Sequence, residues 1–363
     1  MRYELKTLPL DQLFGPVAAA TASLARLDER IARSPFGTGF AERLHFHDAC
    51  ASLYLDGELV HLEDLVLHDA EADIRAPTHE LTIAHAVLRS RRRIAGQAPR
   101  WALSLEGLRF LKAPEAGARS DRDEPHRAPE PGPAEKAEED PLALELAAMD
   151  AVLARTDAVL AGVRAPQAAP ARDPLLYEPD WNEDQRLSEW QRVAEDTLDL
   201  PPVLRAAILL DAWNALAVLQ HAPWLGRLLA AASLREQGLT SGAHLAAINT
   251  GLRGIRREER THPRRTNRLL ALVAGMTAAA EAGLRDHDRL FLARQALERK
   301  LAGRRSSSHL PELVDLVFRK PLLSAQMISS ALGITPRAAV RLVEELNLRE
   351  MTGRGRFRAW GVL

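Results

Sequence analysis

Apolar residues recur along this chain at three- and four-residue intervals, and that period predicts helices almost throughout. Leu24, Leu27 and Ile31 mark one helix, and Leu62, Leu65 and Val66 mark another. From Thr78 through Arg93 the pattern continues with Leu81, Ile83, Val87 and Leu88 and closes on Arg91-Arg92-Arg93. No run of alternating β-branched residues competes, so residues 1–112 read as a helical region. Further on, Leu142, Leu146, Met149, Val152 and Leu153 share one face of a helix predicted at about 141–163. Asp199-Leu200-Pro201-Pro202 starts another, running to about Gln220, whose apolar positions go almost all round, as in a centrally buried helix. A helix at about 224–237 ends at Gly238, and a long one runs from about Arg265 to Leu301. Residues 142–302 thus read as a second helical body, and the fold class is all-α.

Two stretches interrupt the period. Residues 113–141 contain six prolines and no Val, Ile, Leu, Met, Phe, Trp or Tyr, and they are rich in Glu and Asp. Such a segment buries too little apolar surface to offset its ordering entropy, which predicts a disordered acidic linker. A shorter break follows at 164–174.

Residues 309–363 carry the most specific local signals. A helix at about 310–319 precedes Ser324, a candidate N-cap for a helix from Ala325 to Leu332 that stops at Gly333. Thr335 then caps a last helix, with Pro336 at its first position, where the missing N–H costs nothing. Val340, Val343 and Leu346 point inward on this helix, leaving Arg337 and Arg341 outside. Helix, glycine turn, capped helix is the helix-turn-helix pattern, whose second helix reads the major groove. The stretch from Leu348 to Trp360 reads as a β-hairpin wing, with Arg354, Arg356 and Arg358 alternating onto one face as phosphate contacts. Thr335, Arg337 and Arg341 complete the expected DNA-binding set.

Composition narrows the setting. The 363 residues are 46% hydrophobic and 27% charged, ordinary for a folded protein. The single cysteine, Cys50, excludes an intramolecular disulfide and a Cys-based zinc site. No uncharged apolar run reaches the ~18 residues needed to span a bilayer, and Arg2, Glu4, Lys6 and Asp11 are unlike a secretory leader. A cytoplasmic protein without membrane contact is the expectation. The net charge of -1 hides an asymmetry. Residues 251–363 hold 22 Lys and Arg against 11 Asp and Glu, net +11, which leaves 26 against 38 for residues 1–250, net -12. A basic C-terminal third on an acidic body points to double-stranded DNA as the partner of that third. Paired half-sites suit a homodimer.

Catalytic chemistry is sparse. His79 and His85 are six residues apart, so they do not form the HExxH zinc motif, and His45-x-His47 lacks a third ligand cluster. There is no GxSxG, P-loop or dinucleotide fingerprint, and no cofactor or metal is expected.

Two segments carry a resemblance. Ser52-x-x-x-Asp56-Gly57, followed by Leu62-Glu63-Asp64-Leu65, resembles the N-terminal region of Fic-domain proteins, where an S-x-x-x-E-G helix carries an autoinhibitory Glu that pairs with an active-site arginine. Gly226-Arg227-Leu228-Leu229 is similar to the end of the Fic motif H-P-F-x-x-G-N-G-R-x-G-R-L-L. That register puts Leu216 where the catalytic His belongs and Ala222-Pro223-Trp224 where Asn-Gly-Arg cradles phosphates, while His221 stands six residues before Arg227. The resemblance covers roughly residues 20–95 and 200–363. It implies a Fic-like helical body that has lost adenylylation, with Asp56 and Arg227 surviving as a structural ion pair and His221 as a remnant. The whole chain also resembles an uncharacterised bacterial family, frequent in rhizobia, that pairs a domain of unknown function with a C-terminal helix-turn-helix. The leading expectation is a DNA-binding transcriptional regulator whose body serves as scaffold or sensor. The alternatives are a residual AMP or nucleotide transferase using His221 and Arg227, and a protein-binding module of a toxin–antitoxin-like pair.

Overall fold

A computed structural model describes residues 3–5, 8–71, 76–112, 181–241, 244–301, 309–352 and 358–362. The expected linker at 113–141, the helix at 141–163 and the break at 164–174 lie outside the described residues. Helices dominate the rest. They are α1 (Leu10–Ala32), α2 (Gly37–Asp56), α3 (Leu62–Asp69), α4 (His79–Gly96), α5 (Leu105–Lys112), α6 (Glu183–Asp196), α7 (Pro202–Leu216), α8 (Leu225–Glu236), α9 (Ile248–Leu252), α10 (Arg257–Arg260) and α11 (Arg265–Leu301). The C-terminal module adds α12 (Leu310–Arg319), β1 (Leu323–Ser324), α13 (Ala325–Leu332), α14 (Pro336–Leu346), β2 (Arg349–Glu350) and β3 (Ala359–Gly361). The protein is all-α apart from this small sheet, and among the described residues no helix is long and apolar enough to cross a membrane.

The apolar period acts as expected in α1, where Leu24, Leu27 and Ile31 are buried against α11. Leu27 meets Gly283, and one turn on Arg30 pairs with Asp288, so the two helices run in the same direction. Helix α7 is buried on every side. The Trp190 indole of α6 donates to its Leu209 carbonyl at 2.9 Å and stands edge-on to Trp213. This helix stops at Leu216, short of the expected Gln220. Ala217 turns left-handed (φ 45°) there, and Val218 and Leu219 are buried from a loop, so the apolar run outlasts the helix.

A buried ion pair stands at the centre. Asp48 of α2, fully buried, receives the Arg91 guanidinium, the backbone N–H of Asn249 at 2.8 Å and the Asn249 amide at 2.7 Å. Arg91 also donates to the Leu245 carbonyl at 2.9 Å. One carboxylate thereby ties α2, α4 and the turn into α9, and pairing the two buried charges avoids the penalty of a lone one.

The described residues before 113 and after 182 belong to one compact unit. The segments that the sequence divides into an N-terminal region, a body and a winged helix therefore share one packed assembly. Helix α12 lies against both α2 and α11.

Candidate nucleic-acid interface

The helix-turn-helix forms as its caps dictate. The Ser324 hydroxyl accepts the Met327 N–H at 3.2 Å and starts α13, and Gly333 ends it in the left-handed region at φ 64°. The Thr335 hydroxyl accepts the Ala338 N–H at 3.2 Å and starts α14, with Pro336 at its first position. Each cap satisfies an otherwise orphaned donor. Val343 and Leu346 are buried as expected. Ala339 joins them, while Val340 is only half-buried. Thr335, Arg337 and Arg341 are exposed, and neither arginine forms an ion pair or side-chain hydrogen bond among the described residues. The outer face of α14 is therefore free to meet a groove.

The wing pairs antiparallel, with Arg349 opposite Gly361 and Glu350 opposite Trp360. Strand β3 also pairs with β1, making a three-stranded sheet of order β1-β3-β2 that the sequence does not announce. Arg354 and Arg356 lie outside the described residues. Arg358 is described, and its guanidinium meets Glu350 at 2.9 Å and lies 5.2 Å from the centre of the Trp360 ring. It is half-exposed and holds the base of the wing.

The body grips this module through residues that sequence reasoning missed. Arg43 of α2 is buried, yet it forms no ion pair among the described residues. Its guanidinium donates to the carbonyls of Val317 at 3.2 Å, Lys320 at 2.7 Å and Val362 at 2.7 Å. Two of these belong to the last turn of α12 and its exit, where a cation meets the negative end of the helix dipole. Burial pushes the Arg43 pKa down to about 10, with Asp286 opposing, so the group stays charged at neutral pH. One turn earlier, a Cβ on Gly39 would stand 2.5 Å from the Phe318 carbonyl oxygen. That glycine is what allows α2 and α12 to touch. Arg294 of α11 meets Asp315 at 2.9 Å, and Lys300 donates to the Leu346 carbonyl at 3.0 Å. No local signal marks these contacts. Arg43 and Val362 are 319 residues apart, and an arginine beside Glu42 reads as an ordinary surface charge.

The other expected residues separate into two places. Arg227 and Asp56 do meet: Nη2 lies 2.6 Å from Oδ2 and Nη1 3.0 Å from Oδ1, a bidentate pair. Arg227 Nη2 also donates to the Ser52 hydroxyl at 2.9 Å, so the Ser52, Asp56 and Arg227 positions form one cluster. His221 is elsewhere engaged, its Nδ1 3.5 Å from Glu183 of α6. Leu216, in the register of the Fic catalytic His, is a buried apolar side chain. Cys50 is half-buried, and burial pushes its thiol pKa up to about 12, which leaves it a thiol rather than a nucleophile. Among the described residues no group of three or more His, Cys, Asp or Glu is placed to hold a metal.

Fold and surface together define a class: a helical body with a winged helix-turn-helix fixed at its C-terminal end. Comparison with known families finds two matches along the chain. Residues 310–363 match a family described as an HTH DNA binding domain, and residues 175–302 match one described as a protein of unknown function, DUF1612. The chain belongs to the family of the uncharacterized protein y4cF of Sinorhizobium fredii, to which it is 56% identical over 380 positions covering the full length of both. This agrees with the resemblance to a rhizobial family read from the sequence.

Proposed function

We propose that the protein is a sequence-specific, double-stranded-DNA-binding transcriptional regulator. The observation that carries this reading is the uncovered outer face of α14, where Thr335, Arg337 and Arg341 stand exposed beside the wing. Arg337 and Arg341 are the base-contact residues in this reading, since an arginine fork matches guanine O6 and N7 in the major groove. Thr335 contacts phosphate at the helix N-terminus, and Arg354, Arg356 and Arg358 contact phosphates from the wing. Arg358 exchanges its Glu350 partner to do so.

The body serves as scaffold. If it descends from a Fic-like domain, it does so as a pseudoenzyme. Phosphoryl chemistry needs preorganised donors for the transferred phosphates, and the two terminal nitrogens of Arg227 are already committed to Asp56 and Ser52. The protein forms a homodimer on paired half-sites in this reading.

Selection of bound duplexes from a random-sequence pool tests the proposal. The wild-type protein enriches a defined motif, and an Arg337→Ala/Arg341→Ala variant with an unchanged melting temperature enriches none. Failure of the wild type to enrich any motif contradicts sequence reading.

A further inference from the structure

The positive charge of the C-terminal third is not where the helix-turn-helix is. Residues 310–363 hold 8 Lys and Arg against 5 Asp and Glu, net +3, whereas residues 251–309 hold 14 against 6, net +8. Within the latter, residues 253–268 contain seven arginines and two glutamates. They occupy the turn after α9, helix α10 and the start of α11.

The structure separates the arginines with a structural task from those without one. Arg265 and Arg268 turn inward to Asp211, at 3.8 and 2.6 Å, and Arg256 pairs with Glu259 at 2.6 Å. Arg260 donates to the Ile255 carbonyl at 3.1 Å. That leaves Arg253, Arg257 and Arg264, all exposed and none paired with a carboxylate among the described residues. The Arg253 guanidinium stands over the Tyr54 ring, 4.5 Å from its centre, a contact that leaves its charge unneutralised. Burial, followed by the nearby charges of Arg227 and Arg257, holds the Arg260 pKa below its usual value. Arg253, Arg257 and Arg264 leave this end of the body with an excess of exposed positive charge that a polyanion would offset.

Its position is informative. Arg264 immediately precedes α11, and the winged helix is fastened to the far end of the same helix through Arg294 and Lys300. The 36 helical residues from Arg265 to Lys300 span about 50 Å at 1.5 Å per residue, or about 15 base pairs of duplex at 3.4 Å each. Arg264 stands at the end of that span away from the winged helix, whereas Arg253 is nearer, because Gly251 just before it packs on Gly275 and Ala279 in the middle of α11, about 30 Å along the helix from Arg294.

We propose that Arg253, Arg257 and Arg264 form a second phosphate-contacting surface that engages double-stranded DNA beyond the segment read by the winged helix. The inference rests on the DNA-binding reading above and adds a longer, sequence-independent footprint to it. An acidic protein is the other polyanion that would suit these charges. DNA is favoured because exposed arginines unpaired at one end of a rigid spacer match the regular phosphate array that passes a winged helix at its other end.

Salt dependence on duplexes of two lengths tests it. Binding of full-length protein to non-specific duplexes of about 12 and about 40 base pairs is measured by fluorescence anisotropy across a salt series. The slope of log affinity against log salt does not depend on how many registers a longer duplex offers, so it reports contacts alone. On the longer duplex the wild-type slope steepens by about 2 to 3, since each phosphate contact contributes about 0.9. Raising salt fourfold then costs roughly 40-fold more affinity on the long duplex than on the short one. An Arg253→Gln/Arg257→Gln/Arg264→Gln variant loses that increment and keeps the wild-type slope on the short duplex. Equal wild-type slopes at both lengths overturn the second surface while leaving the winged-helix reading intact, and they are also the outcome if the patch serves an acidic protein. No wild-type binding to either duplex at low salt overturns both.

Discussion

Arg43 Nη1, inside the helical body, lies 2.7 Å from the carbonyl oxygen of Lys320, where the first helix of the winged module ends. With its bonds to Val317 and Val362, this one side chain satisfies carbonyls at the end of α12 and at the C-terminal strand. The winged helix is thereby bonded directly to the body.

Arg43→Met tests that attachment. It keeps much of the aliphatic bulk and leaves three buried or half-buried acceptors without a donor, at about 1–3 kcal/mol for each orphaned group. The melting temperature falls by about 5 °C or more, and tryptic cleavage appears between the body and α12. Arg43→Lys recovers part of the loss, because one ammonium cannot reach all three carbonyls. A variant as stable and as protease-resistant as the wild type contradicts the attachment.

Gly39→Ala probes the same seam by adding atoms instead of removing them. Alanine gains about 1 kcal/mol of helix propensity over glycine. Its Cβ, however, would stand 2.5 Å from the Phe318 carbonyl and 3.0 Å from the Arg319 Cα, and both neighbours are backbone. The clash wins, and the expected result is a net destabilisation of about 2 kcal/mol in urea unfolding. Gly96→Ala, in α4 with open space around the added Cβ, is the control and does not destabilise.

Arg227 and Asp56 join α8 to α2 as a bidentate pair. Asp56→Ala strands a guanidinium whose side chain is only 10% exposed, with Ser52 as its remaining partner. Breaking a buried pair costs about 3–5 kcal/mol, and the partial exposure of Asp56 reduces that to about 2. A double-mutant cycle with Arg227→Met gives a coupling of at least about 1 kcal/mol. An unchanged melting temperature in Asp56→Ala excludes a structural role for the pair.

Stability falls below neutral pH through His45. Burial, then the charges of Arg91, Arg92 and His244, hold its pKa well below the usual 6.5, so the folded protein keeps the ring neutral. The unfolded chain binds a proton there below 6.5 and the folded chain does not. This contribution is therefore complete above pH 6.5 and is lost as pH falls below it, by up to about 1.4 kcal/mol per pH unit. Urea midpoints between pH 7 and 5 show that decline in the wild type and a shallower one in His45→Gln. Parallel profiles remove His45 as the cause.

The elements legible in the sequence are those fixed by neighbours in the chain. Ser324, Gly333, Thr335 and Pro336 announce the helix-turn-helix because caps and left-handed turns are local chemistry, and α11 runs between the expected limits of Arg265 and Leu301. Ser52, Asp56 and Arg227 were legible only through the Fic resemblance, since the pair joins α2 to α8. Contacts of longer range had no signature. Asp48, Arg91 and Asn249 read as scattered polar residues, although they form the centre of the body. The charge asymmetry was legible, but its location was not: much of it sits around α10, at the opposite end of α11 from the winged helix.

The most direct test of the central claim is fluorescence-anisotropy binding of purified protein to the DNA upstream of its own gene and to a scrambled duplex, over a salt series. The account predicts tighter binding to the upstream sequence, a preference that vanishes in Arg337→Ala/Arg341→Ala. It also predicts a salt slope reduced by about 2 to 3 in Arg354→Ala/Arg356→Ala/Arg358→Ala. No binding at low salt, or equal affinity for both duplexes that the α14 substitutions leave unchanged, contradicts a DNA reader and makes the winged helix a packing element of the body.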